Sequence, residues 1–230
     1  MGAGHYSWYT MFTPQCELIQ PRQGENRRVE SLAMVVDQVV ALITALVDAG
    51  WRRRGIHLLG FSQGGTVALE TARVLAMAKL RSERTQGGAT AGGKMDTSAV
   101  LGSVVAVAAS VLPEQEFAEV IEQGRGGGEG GGEGGEAFAA APPTIEDGGR
   151  GLVPVLLLHG DYDTTVRREW VDWSSVVLRA AGCAVQQKHL PTKGHEMINR
   201  PDEMQMCMEF WSSHLLARAP PLSGAIDLTE

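Results

Sequence analysis

The stretch Gly60-Phe61-Ser62-Gln63-Gly64-Gly65 decides the fold expected of this chain. It follows the apolar run Ile56-His57-Leu58-Leu59 and opens a helix-like segment over residues 66–80. The pattern Gly-x-Ser-x-Gly between a strand and a helix is typical of a sharp turn that lifts a serine hydroxyl clear of a sheet. Gly60 and Gly64 lack a Cβ and would let the strand and the helix approach closely. Because the bare pattern is common in glycine-rich chains, its place between strand and helix carries the argument.

Two later segments supply candidate partners for Ser62. The apolar run 153–160 predicts a buried parallel strand and ends in Asp161-Tyr162-Asp163, while Lys193-Gly194-His195-Glu196 follows a short strand at 184–190. The order serine, acid, histidine along the chain is that of the α/β-hydrolase catalytic triad. In such a triad His195 would take the serine proton and return it to the leaving group, and an aspartate would orient the imidazole.

Each candidate also has a purely structural interpretation. Asp161 and Asp163 could cap the helix that follows them, and His195 alone could be a surface histidine. The chain order, the positions at strand ends and the serine turn together favour a catalytic site. The residues themselves leave open which aspartate takes part. The remaining histidines have no claim by position: His5, His57, His159, His189 and His214.

The motifs at 60–65, 159–166 and 194–196 resemble those of the phospholipase/carboxylesterase family, which includes the acyl-protein thioesterases. Ser7-Trp8-Tyr9 is similar to a further family segment, although Thr10 stands where the family has aspartate. The resemblance implies that Asp163, the second aspartate of Gly-Asp-x-Asp, is the triad acid. It also implies hydrolysis of carboxylic esters, thioesters and lysophospholipids through an acyl-serine intermediate. The turn itself predicts that the backbone N–H of Gln63 is one oxyanion donor.

We therefore expect an α/β-hydrolase fold with a mainly parallel sheet and flanking helices, in a single domain over residues 1–220 with a tail at 221–230. Strands are predicted near 56–60, 100–109, 153–159 and 184–190, and helices at 29–49, 66–80, 167–181 and 201–216. A loop insertion is predicted at about 81–98. A low-complexity insertion is predicted at about 122–152, since its glycine–glutamate tract 124–136 cannot bury a core. The stripe of the last helix is predicted to pack in the core: Met204, Met208, Phe210, Trp211 and Leu215.

No His-Gly-x-Gly-Asp segment, which would give the second oxyanion donor, occurs in the sequence. We therefore expect the N-terminal strands and the oxyanion loop of the family to be missing. Either the sequence is a shortened gene model or isoform, or it is a real protein that lacks half of its oxyanion hole. A shortened product is favoured, because an unpaired edge on the serine strand would invite aggregation.

The amino-acid composition argues against several classes of partner and location. A net charge of −7 argues against a nucleic-acid partner. Three unpatterned cysteines, Cys16, Cys183 and Cys207, favour a reducing, cytoplasmic location and suggest no metal site or other cofactor. The nearly apolar stretch 99–112 is too short to cross a bilayer, so no transmembrane segment is expected, only transient contact with a membrane surface.

The expected function is hydrolysis by a serine hydrolase. Its expected partner is an acyl ester or thioester substrate, a lipidated protein included. The alternative is a non-catalytic or weakly active acyl-ligand-binding hydrolase fragment.

Overall fold

Four parallel strands form the centre of the molecule. In the computed structural model, which describes residues 7–15, 17–19, 26–86, 100–112 and 152–216, they lie side by side in chain order. The strands are β1 (His57–Phe61), β2 (Ser103–Val107), β3 (Pro154–Gly160) and β4 (Ala184–Leu190). Their register aligns Gly60 with Ala106, Ala106 with Leu157, and Leu157 with Gln187. All four strands therefore end at the same edge of the sheet.

Helices cover both faces of this sheet. They are α1 (Arg27–Asp48), α2 (Gln63–Gln86), α3 (Arg168–Ala180) and α4 (Pro201–Leu216), with a single 3₁₀ turn at Arg53–Gly55. One core cluster joins Val104 and Ala106 of β2 to residues of α2 and α3. A second cluster joins Val105 and Val107, which point to the opposite face, to Cys207 and Phe210 of α4. Strands buried on both faces account for the unbroken apolar runs of β2 and β3.

The sequence-based expectation of an α/β fold with a mainly parallel sheet is confirmed. Strand β2 is shorter than the predicted 100–109, although residues 100–112 are all buried. The strand stops because Ala108 adopts a left-handed backbone with φ of 48°, although its N–H still donates to the carbonyl of Leu158 in β3 at 2.8 Å. An apolar run marks burial here rather than the extent of strand pairing.

The predicted loop at 81–98 is wrong in its first part, because α2 continues to Gln86. Residues 81–86 contain no glycine or proline, and Lys79 and Glu83 lie 4.0 Å apart one turn from each other. The rest of that prediction, the insertion at 122–152 and the tail at 221–230 lie outside the described residues.

The stripe predicted for the last helix is confirmed for Phe210, which is buried, and for Trp211, which packs against the same cluster, but it is wrong for the two methionines. Met204 and Met208 are 45% and 61% exposed, whereas Glu203, Cys207 and Phe210 face the core. Both sets have helical spacing, so spacing alone could not choose between them.

One helix of the described part of the chain, α1, is long and apolar enough to cross a membrane on length and composition alone, with 22 residues and a mean hydropathy of 1.8. This is weak evidence, since core helices of soluble proteins pass the same test. Leu32, Val36 and Ile43 of α1 are buried in core clusters.

Candidate active site

Ser62 occupies the turn between β1 and α2 in a strained backbone conformation. Its φ is 51°, in the left-handed region that few non-glycine residues adopt. Its N–H donates to the carbonyl of Val107 at 3.0 Å, and its carbonyl accepts the N–H of Thr66 at 3.0 Å. The turn is thus tied both to β2 and to the first turn of α2, and it presents Oγ at the carboxyl edge of the sheet.

The glycines beside Ser62 make this turn sterically possible. A Cβ on Gly60 would lie 2.2 Å from the carbonyl oxygen of Gly64, and one on Gly65 would lie 2.4 Å from the Cβ of Ala109. Side-chain carbons do not approach other atoms so closely, so Gly60 lets β1 meet α2, and Gly65 lets α2 meet the chain that follows β2.

Three residues far apart in sequence form one hydrogen-bonded chain. Nδ1 of His195 lies 2.9 Å from Oδ2 of Asp163, and Nε2 of His195 lies 2.9 Å from Oγ of Ser62. An ionised carboxylate only accepts hydrogen bonds, so Nδ1 carries the proton. Nε2 of the neutral ring therefore accepts the Ser62 hydroxyl, which is the arrangement a general base requires.

Asp163 is held in place by its own loop. Its Oδ1 accepts the N–H groups of Thr165 and Val166 at 2.8 and 2.9 Å, and its side chain is fully buried. Asp161 lies elsewhere, with Oδ1 3.9 Å from Nη1 of Arg168 and 3.7 Å from Nδ1 of His189. The structure therefore brings Asp163, and not Asp161, together with Ser62 and His195.

Gln63 is the first residue of α2, so its backbone N–H belongs to the helix N-terminus, where anionic groups are stabilised. Its side-chain Oε1 accepts the backbone N–H of Trp8 at 3.0 Å. The indole Nε1 of Trp8 lies 3.2 Å from the place a Cβ on Gly64 would take. Trp8 therefore lies against the serine turn, and the absence of a side chain at Gly64 gives it room.

Sequence reasoning missed His159, the penultimate residue of β3. It is 2% exposed, and its Nδ1 has no hydrogen-bond partner among the described residues and lies 3.9 Å from Oδ2 of Asp163. Burial lowers the pKa of His159, although the negative charge of Asp163 opposes this shift. The buried His159 ring thus lies beside the buried Asp163 carboxylate, as a second imidazole near the same oxygen. The signal in the sequence was its place as the first residue of the motif at 159–166, four residues before Asp163.

In the described part of the chain, no group of three or more His, Cys, Asp and Glu side chains is arranged to hold a metal ion. Cys183 and Cys207 are both buried free thiols. Burial raises the pKa of Cys183 to about 12 and that of Cys207 to about 11. Neither thiol is therefore a nucleophile near neutral pH.

No protein-family model and no curated protein matches this sequence. Solved structures do match. Arabidopsis thaliana SOBER1 is 19% identical with a TM-score of 0.54, over 91% of this chain and 74% of that one. Zea mays acyl-protein thioesterase 2 is 18% identical with a TM-score of 0.53, over 91% and 72%. Esterase PE8 is 17% identical with a TM-score of 0.54, over 91% and 70%.

The chain therefore has an α/β-hydrolase fold, shared with proteins described as esterases and acyl-protein thioesterases. At these identities the likeness concerns the fold. The chemistry depends on the residues of the site itself.

Proposed function

We propose that this protein is a serine hydrolase that cleaves carboxylic esters or thioesters. The observation that carries the proposal is the hydrogen-bonded chain from Ser62 Oγ through His195 to Asp163, with both distances at 2.9 Å. The strained φ of Ser62 and its place at the start of α2 support the same function, since strain of this kind collects at functional sites.

The geometry suits an acyl-enzyme mechanism. His195 Nε2 takes the Ser62 proton while Oγ bonds to the substrate carbonyl carbon, and the negative charge that develops on the carbonyl oxygen meets the N–H of Gln63. The oxyanion then re-forms the carbonyl as the bond to the leaving group breaks, and the imidazolium, stabilised by Asp163, protonates the departing alkoxide or thiolate. Water attacks the acyl-serine in the second half-reaction, with His195 again the base, and releases a carboxylic acid and free Ser62.

Exposed apolar side chains on the segments that carry the site favour an apolar acyl group. Trp8 lies against the serine turn, Tyr162 directly precedes Asp163, and Met197 follows His195 by two residues, and all three are exposed. Phe61 is also close, with its ring 5.0 Å from the His195 ring. Lipidated proteins and lysophospholipids carry such acyl groups and are included in the proposal, as is a cytoplasmic location with transient contact with membrane surfaces.

The test measures hydrolysis of p-nitrophenyl esters and acyl thioesters of increasing chain length, with Ser62→Ala as the control. We expect turnover that depends on Ser62 and that favours acyl chains longer than acetyl. A protein that binds these compounds and returns them unchanged would instead be an acyl-binding module. Full turnover by Ser62→Ala would also contradict the proposal.

A further inference from the structure

The loop that carries His195 is closed by a buried ammonium group. Lys193 is only 3% exposed, and its Nζ donates to the carbonyl of Met197 at 2.9 Å, to Oδ1 of Asn199 at 2.9 Å and to Oε2 of Glu203 at 2.7 Å. These bonds use all three ammonium hydrogens. Because Lys193 and Met197 lie two residues before and after His195, the first bond closes a ring of chain around the histidine.

The carboxylate of Glu203 accepts hydrogen bonds from the other end of the loop. It is completely buried in the first turn of α4, where Oε2 accepts the N–H groups of Asn199 and Arg200 at 3.0 and 3.3 Å. Its Oε1 accepts Nε of Arg200 at 2.7 Å. This is the backward reach of a capping-box glutamate to the residues that precede a helix.

Glu203 keeps its charge in this position. Burial by itself would raise its pKa, but the hydrogen bonds from Lys193, Asn199 and Arg200 outweigh that effect and lower the pKa to about 2. The buried ammonium of Lys193 therefore has an ionised partner throughout the neutral pH range.

The same lysine also joins the loop to the segment that carries Asp163. The carbonyl of Lys193 accepts the N–H of Tyr162 at 2.9 Å and lies 2.3 Å from the place a Cβ on Gly160 would take. The Lys193 backbone is thus seated on the end of β3, while its side chain is fixed to α4. His195 lies between these two attachments.

We propose that Lys193 and Glu203 are positioning residues that hold the His195 imidazole between Ser62 and Asp163. The expected loss of kcat rests on the proposed function. The expected change in the His195–Asp163 hydrogen bond does not. Buried ion pairs often add little to stability compared with apolar replacements. If Lys193 and Glu203 only stabilised the fold, an apolar pair that filled the same space would therefore leave kcat unchanged.

The test uses the double variant Lys193→Met/Glu203→Leu, which removes both charges and leaves neither buried without a partner. The matched control is Glu70→Gln, which breaks another buried pair, Glu70 with Arg73 at 2.7 Å, in the middle of α2. We measure ester kcat and KM, the melting temperature, and the His195 Nδ1–H resonance in protein labelled with ¹⁵N-histidine, assigned by its loss in His195→Gln.

We expect the double variant to fold and to lose about 100-fold in kcat, the effect of a misplacement of roughly 1 Å, with KM within about twofold. Its Nδ1–H resonance should broaden or vanish through exchange with water. Glu70→Gln should keep both the resonance and kcat. If the double variant does not fold, Glu203→Gln, which conserves side-chain volume, is measured by the same readouts.

A folded variant with wild-type kcat and an unchanged resonance would overturn the inference. A wild-type protein without a protected His195 Nδ1–H would overturn it too. If the wild-type protein hydrolyses no ester, the proposed function fails, and the resonance still decides whether the Lys193–Glu203 pair positions His195.

Discussion

The two halves of the candidate site are fixed by different forces. On the nucleophile side, the backbone sets most of the geometry: Gly60 and Gly65 allow β1 and α2 to touch, and Ser62 is held at a φ of 51° by main-chain hydrogen bonds. On the acid–base side, the loop of His195 is held mainly by the charged side chains of Lys193 and Glu203. The first half should be sensitive to steric changes, and the second to charge and pH.

The largest expected effect spans both halves. Ser62→Ala and His195→Ala should each lower kcat by about 10⁴-fold or more, and the double variant should lose little beyond either single one, because the residues act as one unit. Steady-state kinetics on a p-nitrophenyl ester measure all three. Additive losses would show that the two halves do not act together.

The choice of aspartate comes next. Asp163→Asn should lower kcat by about 10⁴-fold, because an amide can no longer orient the imidazole in the required tautomer. Asp161→Asn is the matched control, and its kcat should stay within about twofold. The reverse result would move the acid to Asp161.

The steric account of the nucleophile side can be tested by substituting two glycines. Gly60→Ala should destabilise the protein by about 3 kcal/mol, because the new Cβ would meet backbone atoms of Gly64. A Cβ on Gly55 would meet nothing within 4 Å, so Gly55→Ala should change stability by about 0.5 kcal/mol or less. Urea unfolding compares the two variants, and equal stabilities would contradict the steric account.

The acid–base side, which is held by charged side chains, should lose stability in acid. Because the pKa of folded Glu203 is about 2, below its ordinary value of 4.5, the unfolded chain binds more protons at low pH. The stabilisation is present above pH 4.5 and is lost as the pH falls toward 2, by on the order of 3 kcal/mol. Glu203→Gln should flatten this part of the pH–stability curve, while Glu196→Gln, which changes an exposed carboxylate, should not. If Glu203→Gln kept the wild-type slope of stability against pH, groups other than Glu203 would cause the acid sensitivity.

The smallest expected effect concerns neither half. Replacing residues 124–136 by a shorter glycine–serine linker should change stability by about 1 kcal/mol or less, since loop-closure cost grows only logarithmically with length. Melting temperature and kcat measure this. A large loss of kcat would show that the segment contributes to the site.

The same contrast explains what the sequence could predict. The serine turn was predictable because its steric requirement dictates glycines at fixed spacing. Strands β1, β3 and β4 were predicted to within one residue of their ends. The order of motifs brought Ser62, Asp163 and His195 together as candidates. Their catalytic roles stay predictions until they are measured.

The charged half was not predictable in the same way. Lys193 and Glu203 meet because a long flexible side chain reaches across a loop, and no spacing rule encodes such contacts. His159 was overlooked because its closeness to Asp163 depends on how the chain turns after β3. Burial likewise decided which face of α4 packs, and periodicity could not.

The most direct test of the central claim is covalent labelling of the nucleophile. The folded protein is treated with a fluorophosphonate probe, and the adduct is located by mass spectrometry of its peptides. We predict a single adduct on Ser62, which forms much more slowly in His195→Ala and not at all in Ser62→Ala. An adduct on another residue, or an undiminished adduct in Ser62→Ala, would contradict the assignment of Ser62 as the nucleophile.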